Sequence, residues 1–233
     1  MANRREWMAA GMMLVAGSVE SSGVCAQTHA WPARPLRVIV PFAPGGPTDI
    51  IGRVMAAKLT EALGQQVVID NRGGAGGNIA AEQTAKSAPD GHTLMMATIG
   101  THAINLALYA KLPYHPQRDF TPVALVGESP NVLVVHPSVP VKSIRELIAL
   151  ARSKPGRLNY GSSGTGTTVH LSAELFSSMT GVRMVHVPFK GATEALTALL
   201  GGQLDLMFAS VSSSIPLIKA GRLRAFAVTG AQR

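Results

Sequence analysis

Two glycine-rich turns contain the residue types with which this chain could hold an anion. One turn runs from Gly161 to Thr168 with the sequence GSSGTGTT, and the other is Pro44-Gly45-Gly46-Pro47-Thr48-Asp49. Each turn lies between a predicted strand and a predicted helix. The free N–H groups and the positive end of the dipole at such a helix start bind a carboxylate without needing a lysine. A turn that caps its helix and binds no ligand is the alternative interpretation.

The sequence of the turn from Gly161 to Thr168 excludes two well-known catalytic loops. A phosphate-binding loop of nucleotide triphosphatases has lysine after its second glycine, where this chain has Thr167. A nucleophile elbow ends in glycine, where this chain has Thr165. The small hydroxyl residues of the turn therefore favour ligand binding or helix capping over phosphate or acyl chemistry.

Other candidate ligand-binding residues also follow predicted strands, at the sheet edge where open α/β folds bind their ligands. Thr98 and Gly100 follow the third strand, and Lys190 follows a strand further along the chain. Lys190 either offsets a second carboxylate or is solvated, and Asp49 either contacts the ligand or caps its helix. His170, one turn inside a helix, either faces the ligand or packs against the turn. The complete predicted ligand-binding set is Pro44, Gly45, Gly46, Thr48, Asp49, Thr98, Gly100, Ser162, Ser163, Gly164, Thr165, Gly166, Thr167, His170 and Lys190.

The sequence lacks the patterns of a catalytic or metal-binding site. It contains no H-E-x-x-H motif, its one cysteine is Cys25, and His102, His136, His170 and His186 are scattered. No paired carboxylates occur at the spacing that acid–base catalysis requires. We therefore predict no enzymatic activity, no metal and no cofactor.

Composition places the chain among folded proteins and argues against a nucleic-acid partner. Of the 233 residues, 46% are hydrophobic and 15% are charged, which excludes a disordered chain or a coiled coil. The net charge is +8, but the basic stretches at 152–157 and 219–224 are neither continuous nor interleaved with aromatic residues. The charge instead favours the attraction of small anions.

The first 26 residues are predicted to form a signal peptide. Arg4 and Arg5 precede a short apolar stretch from Trp7 to Val15, and Val24-Cys25-Ala26 puts small residues at the cleavage positions. The apolar stretch is far shorter than the roughly 20 residues that span a bilayer. Cleavage after Ala26 predicts export to the periplasm by either the Sec or the twin-arginine route. A buried helix or an internal start is the alternative.

Strands and helices alternate through the rest of the chain, which predicts an α/β fold of two halves. The first half has predicted strands at 36–40, 67–69, 93–97 and 123–126, and helices from Thr48 or Asp49 to 63 and from 78 to 87. The second half has predicted strands at 132–135, 158–160, 184–187, 205–208 and 223–228, and helices at 143–153, from the glycine-rich turn to 180, at 192–200 and at 215–220.

The order of these elements predicts where the ligand binds. Strands joined by helical crossovers indicate a parallel, doubly wound sheet in the first half, and the same order restarts near Ser143. The halves meet near 127–130, which divides the chain into a first lobe of residues 27–127 and a second lobe of residues 128–229. Because one glycine-rich turn belongs to each lobe, we expect a ligand cleft between them.

Several motifs in register resemble one family of receptors. They are Val40-Pro41-Phe42-Ala43-Pro44-Gly45-Gly46-Pro47-Thr48-Asp49, Asn71-Arg72-Gly73-Gly74-Ala75-Gly76-Gly77-Asn78, Asn159-Tyr160-Gly161-Ser162-Ser163-Gly164, His170-Leu171, His186-Val187-Pro188-Phe189-Lys190-Gly191 and Ala227-Val228-Thr229. Together they resemble the substrate-binding proteins of tripartite tricarboxylate transporters, also called Bug-type receptors. The similarity runs from about Trp31 to Arg233.

The resemblance implies a monomeric periplasmic receptor of type II binding-protein fold whose two lobes close on a small carboxylate. A dicarboxylate or tricarboxylate, an acidic amino acid or an aromatic acid fits this class. The resemblance also implies delivery to integral membrane transporter subunits, one large and one small, and no nucleic acid. In the family the ligand is held through backbone amides and water, which places Gly46, Thr48 and Ser162 to Thr167 at the site.

Family members continue for several tens of residues beyond the equivalent of Arg233 and return to the first lobe. The resemblance therefore implies a copy truncated at the C-terminus, with an incomplete first lobe and residues 230–233 as the start of the return. Two alternative functions stay open. A sensory receptor of the same fold would signal to a membrane kinase, and a secreted hydrolase would need a nucleophile and a base within hydrogen-bond reach.

Overall fold

The computed structural model describes residues 31–230, so the predicted signal peptide and residues 231–233 lie outside the described residues. The strands are β1 (Leu36–Val40), β2 (Val67–Asn71), β3 (Thr93–Met95), β4 (Asn131–Val135), β5 (Asn159–Ser162), β6 (Val185–Pro188), β7 (Leu206–Ser210) and β8 (Arg224–Val228). The helices are α1 (Pro47–Leu63), α2 (Asn78–Ala85), α3 (Asn105–Leu108), α4 (Ile144–Ser153), α5 (Thr168–Thr180), α6 (Ala192–Leu200) and α7 (Val211–Lys219). Short helical turns at Ala75–Gly77 and Gly100–Ile104 precede α2 and α3.

The first sheet has the order β2-β1-β3, and all three described strands are parallel. β1 is the central strand, and its residues Leu36, Val38 and Val40 are fully or almost fully buried against Ala56 of α1 and Met96. A continuous β-branched run suits such a strand because both of its faces are covered. The predicted parallel sheet is confirmed for these three strands.

The second sheet has the order β6-β5-β7-β4-β8. β5 pairs in parallel with β6 and β7, whereas β4 runs antiparallel to both β7 and β8. The sheet is therefore mixed, although strands and helices alternate along this half as they do in the first. All five residues of β4 are buried, because clusters of apolar side chains cover both faces of the sheet.

Two local predictions are corrected by the structure. Residues 123–126 do not form a strand: the side chains of Val123 and Leu125 are 83% and 81% exposed, and no strand lies between β3 and β4 in the described chain. Strand-forming residues need a neighbouring strand to bond their backbone, and here none pairs with them. Gly46, rather than Thr48 or Asp49, is the N-cap of α1, because Pro47 occupies the first helical position, where its missing N–H costs nothing.

Other local predictions are confirmed. Gly64 ends α1 in the left-handed conformation with φ of 65°. The Ser143 hydroxyl accepts a hydrogen bond from the Glu146 N–H and caps α4. The lobe boundaries stay a prediction, with the first sheet lying before residue 96 and the second after residue 130. Within residues 31–230, the model contains no helix that is both long and apolar enough to cross a bilayer.

Candidate ligand-binding site

A cleft of about 420 Å³ lies where loops from the two sheets face each other. Gly74, Ala75, Gly76 and Tyr109 line it from the first half of the chain. The second half contributes Ser163–Thr165, Pro188–Lys190 and Glu194. Most of these residues follow the carboxyl ends of β2, β5 and β6, which is the edge where open α/β sheets bind their ligands.

The turn between β5 and α5 is held by its own hydrogen bonds. The Thr167 hydroxyl donates to the Gly164 carbonyl at 2.7 Å, and its oxygen accepts from the His170 N–H at 3.4 Å, which makes Thr167 the N-cap of α5. Gly164 and Gly166 have φ of 120° and 83°, a region that side chains disfavour. The N–H groups of Ser163 and Thr165 have no hydrogen-bond partner within residues 31–230. These two donors lie in the turn that leads into α5, and such N–H groups suit a carboxylate.

The turn between β1 and α1 is held by a buried carboxylate. Asp49 is 2% exposed and accepts hydrogen bonds from the Gly45 N–H at 2.9 Å, from Arg53 Nε at 2.9 Å and from Asn71 Nδ2 at 3.0 Å. Burial acts to raise the pKa of Asp49, but these hydrogen bonds outweigh it and hold the pKa below its ordinary value. Both carboxylate oxygens are occupied, so Asp49 fixes the turn.

The two halves meet at glycines that leave no room for a side chain. A methyl group on Gly191 would stand 2.7 Å from Ala43 Cβ, and one on Gly76 would stand 2.7 Å from the Thr165 carbonyl oxygen. The Thr193 hydroxyl also donates to the Pro44 carbonyl at 3.2 Å. The separation of the lobes at the cleft therefore depends on small residues on both sides.

The structure brings only part of the predicted set to the wall of the cleft. Ser163, Gly164, Thr165 and Lys190 line it. Ser162 and Thr167 are buried within the turn, Pro44 and Gly45 lie against Thr193 of α6, and Gly46 is the N-cap of α1. Thr98 and Gly100 belong to a separate turn, which hydrogen bonds between Thr98 and Thr101 close. A methyl group added to Gly100 would lie 3.5 Å from the Gly166 carbonyl oxygen. Thr48 lies half-buried in the first turn of α1, away from the residues that line the cleft.

Several cleft residues, among them Pro188 of β6, were not predicted as site residues. The glycine run at Gly74–Gly76 was recognised only as a loop, and its position after β2 was the available signal. Tyr109, Phe189 and Glu194 reach the cleft from the end of α3, from the loop after β6 and from the first turn of α6. No sequence motif marks Tyr109 or Glu194, so only the packing of the lobes identifies them, whereas Phe189 belongs to the motif from His186 to Gly191.

Ser162 and His186 lie within hydrogen-bond reach, the condition set for a hydrolase. Their Oγ and Nε2 atoms are 2.6 Å apart. However, Ser162 is 0% exposed, and its Oγ also accepts the Gly164 N–H at 3.1 Å. A hydroxyl enclosed in this way cannot reach the carbonyl carbon of a bound substrate, so the pair holds the turn and provides no nucleophile.

Two α/β sheets joined so that the loop at Gly74–Gly76 and the turn from Gly161 to Thr168 face each other across a cleft define the class of type II periplasmic binding proteins. Solved structures agree with this class. An R. palustris protein solved with adipate has a TM-score of 0.85 at 46% sequence identity, over 87% of this chain and 68% of that one. MatC from Rhodopseudomonas palustris, solved with bound malate, has a TM-score of 0.83 at 39% identity, over 87% of this chain and 69% of that one. The predicted fold class is confirmed.

The model of the TctC family, described as the tripartite tricarboxylate transporter family receptor, matches residues 51–233, so this chain belongs to that family. A relative from Pseudomonas sp. (strain P51), the UPF0065 protein in the tcbD-tcbE intergenic region, is 40% identical over 91% of this chain. The chain spans 63% of the length of that relative. The resemblance read from the sequence motifs is confirmed, and a family of receptors agrees with the prediction of a binding protein and not an enzyme.

Proposed function

We propose that this chain binds a small carboxylate in the cleft between its lobes. The observation that carries the proposal is a pair of N–H groups without a partner in residues 31–230, on Ser163 and Thr165, in the turn before α5 and on the cleft wall. In the proposed complex they donate to one carboxylate of the ligand, and the positive end of the α5 dipole adds to the attraction.

Lys190 is the proposed partner of a second anionic group. Its side chain is exposed on the cleft wall, close to Glu194, whose carboxylate accepts the Lys190 N–H at 3.2 Å. A cleft of about 420 Å³ lies within the range of small-molecule sites. The adipate and malate present in the two R. palustris structures are both dicarboxylates, which supports a ligand with two acidic groups.

The other predicted residues have positioning roles in this proposal. Ser162, Gly166, Thr167 and His170 hold the turn before α5, and Asp49 holds the turn before α1. Pro44 and Gly45 lie against Thr193 of α6, Gly46 and Thr48 belong to the start of α1, and Thr98 and Gly100 lie in the segment before α3. Membership in the receptor family supports a periplasmic location and delivery of the ligand to the membrane subunits of a tripartite tricarboxylate transporter.

A thermal melt against a panel of carboxylates tests the proposal. The panel includes adipate, malate, citrate, glutamate and benzoate, with the matching amides or alcohols as neutral controls. A ligand at 100 times its dissociation constant stabilises the protein by about 2.7 kcal/mol, which raises the Tm by several degrees. We expect a shift with at least one carboxylate and none with its neutral analogue. A cooperative melt that no carboxylate moves would overturn the proposal.

A further inference from the structure

Two histidines hold the turn before α5 from its two ends. The Gly166 N–H donates to Nδ1 of His170 at 3.3 Å, and Ser162 Oγ lies 2.6 Å from Nε2 of His186. Ser162 Oγ also accepts the Gly164 N–H. The unpartnered donors of Ser163 and Thr165 therefore lie between residues that the histidines fix.

The hydrogen bond at His170 requires a neutral imidazole, and the buried Ser162 hydrogen has Nε2 of His186 as its acceptor only when that nitrogen carries no proton. Nδ1 of His170 can accept the Gly166 N–H only while it carries no proton. The Ser162 hydroxyl, whose oxygen already accepts from Gly164, has its own hydrogen to donate, and Nε2 of His186 is the acceptor that it faces. Protonation turns either nitrogen into a donor. At His170, the Gly166 N–H and the protonated Nδ1 would then be two donors pointing at each other. At His186, the buried Ser162 hydroxyl would lose its acceptor.

The surroundings of the two rings disfavour a proton on either. Their centroids are 4.2 Å apart, and the ring of Tyr160 stacks on that of His186 at 4.9 Å. Burial lowers the pKa of His170, and burial together with the neighbouring His170 lowers the pKa of His186 to about 4. Two other ionisable groups face the rings, Glu174 from α5 and Tyr160 from β5, while His186 itself lies on β6. Glu174 acts to raise the pKa of both histidines and so opposes the effect of burial. Tyr160 donates its hydroxyl to Glu174 and has a raised pKa.

We propose that His170 and His186 are positioning residues for the turn from Gly161 to Thr168, and that both imidazoles must be neutral for this turn to hold its ligand-binding conformation. The proposal rests on the function proposed above, because it assigns the histidines to the turn that supplies the carboxylate donors. Acid then weakens ligand binding by loosening the turn, in addition to any protonation of the ligand.

The first test needs no ligand. In NMR spectra of the ¹⁵N-labelled chain from pH 7.5 to about pH 3, we expect each amide to shift and to lose exchange protection with the midpoint of the imidazole that supports it, Gly166 with His170 and Gly164 with His186. Amides that stay unchanged while either imidazole takes up a proton would overturn the proposal. This outcome does not depend on whether the cleft binds a carboxylate.

Conservative variants distinguish the effect of imidazole protonation from the effect of side-chain packing. In the double variant His170→Asn and His186→Gln, amide oxygens take the places of Nδ1 and Nε2 as acceptors but do not titrate. We expect its Gly164 and Gly166 amides to be insensitive to pH over this range. The variant His136→Asn, at a half-buried histidine just beyond the end of β4, is the matched control and keeps the native profile.

Calorimetric titration with adipate as the probe measures the consequence for binding. Comparison with the double variant corrects for protonation of adipate itself, because the ligand has the same protonation state in both titrations at each pH. We expect native affinity to fall faster than that of the variant, approaching about tenfold per pH unit below the pH at which the pair takes up its first proton. Equal pH profiles would overturn the proposal. If adipate binds neither protein at any pH, another carboxylate from the melt panel serves as the probe, and the NMR result still decides the role of the histidines.

Discussion

The two glycine-rich turns of this protein have the same order of strand, turn and helix, but different chemistry holds each one. The turn before α1 depends on the buried charge of Asp49, which joins Gly45, Arg53 and Asn71. The turn before α5 depends on neutral imidazoles and on the hydroxyl of Thr167. One turn is therefore stabilised by an ionised group and the other by groups that must stay un-ionised.

Because of this difference, the two turns lose their stabilising hydrogen bonds at different pH. The contribution of Asp49 is lost only when its carboxylate is protonated, which happens at strongly acidic pH because its pKa lies below 3.8. Burial lowers the pKa of both imidazoles from the ordinary value of 6.5, and the pKa of His186 falls to about 4, which is still above that of Asp49. The turn that carries the proposed carboxylate donors is the more acid-sensitive of the two.

Replacing Asp49 by alanine is expected to have the largest effect on stability. The change leaves the Gly45 N–H and the Asn71 amide without their buried acceptor, which costs about 2–3 kcal/mol. Urea denaturation measures this loss. Glu61→Ala on the same helix is the control, because Glu61 forms only an exposed pair with Lys58 and its loss changes stability by no more than about 0.5 kcal/mol. Equal losses from the two variants would contradict the role of Asp49.

The second prediction concerns the pH at which each turn loses stability. The free energy of unfolding is expected to fall as the pH drops from about 6.5 to about 4, because the His186 imidazole of the unfolded chain binds a proton there while the folded one stays neutral. The contribution of Asp49 stays intact in this range and is lost only below about 3.8.

Urea denaturation of the native chain and of His186→Gln between pH 7 and pH 4 measures this difference. The variant is expected to lose less stability on acidification, and the effect is smaller than that of Asp49→Ala because the imidazole is only partly buried. A variant that loses as much stability as the native chain would show that His186 is not responsible. The variant His136→Asn is again the control.

A third prediction compares two helix caps. Thr167→Ala and Ser143→Ala each remove an N-cap hydroxyl, and each is expected to cost about 1 kcal/mol of stability. Only Thr167 also bonds to the Gly164 carbonyl within the proposed ligand turn. Carboxylate binding, measured by calorimetry, is therefore expected to weaken in Thr167→Ala and to stay native in Ser143→Ala. Equal carboxylate binding by the two variants would show that the Thr167 cap does not support the ligand-binding turn.

Local features of the fold were predictable because a few neighbouring residues determine them. The capping of α4 by Ser143, the left-handed Gly64 and the whole of α6 follow from short patterns of caps and apolar residues. Pro47 also signalled the true start of α1, although Thr48 or Asp49 was predicted as the cap. The exposed segment at 123–126 shows the limit of such patterns, because strand formation depends on a partner elsewhere in the chain.

The chemistry that supports the site was less predictable, since it depends on register between distant segments. His186 lies opposite Tyr160 in the parallel pairing of β5 with β6, and this register brings the imidazole to Ser162 two residues along the same face. His170 joins them from α5. Each histidine looks isolated in the sequence, and only the paired strands and the packed helix bring the two rings together.

The most direct test of carboxylate binding between closing lobes uses two glycines at the ends of α6. Gly191 has φ of −167°, which any residue adopts, yet an added methyl would lie 2.7 Å from Ala43 Cβ across the cleft. Gly201, with φ of −81°, has room for a methyl at ordinary contact distance. Gly201→Ala is therefore the matched control for Gly191→Ala.

The measurement is calorimetric titration of the carboxylate that shifts the native melt most. We expect the native chain and Gly201→Ala to bind it alike, and Gly191→Ala to bind at least about tenfold more weakly, because overpacking costs about 1–3 kcal/mol. Native affinity in Gly191→Ala, or no carboxylate binding by the native chain, would contradict the account.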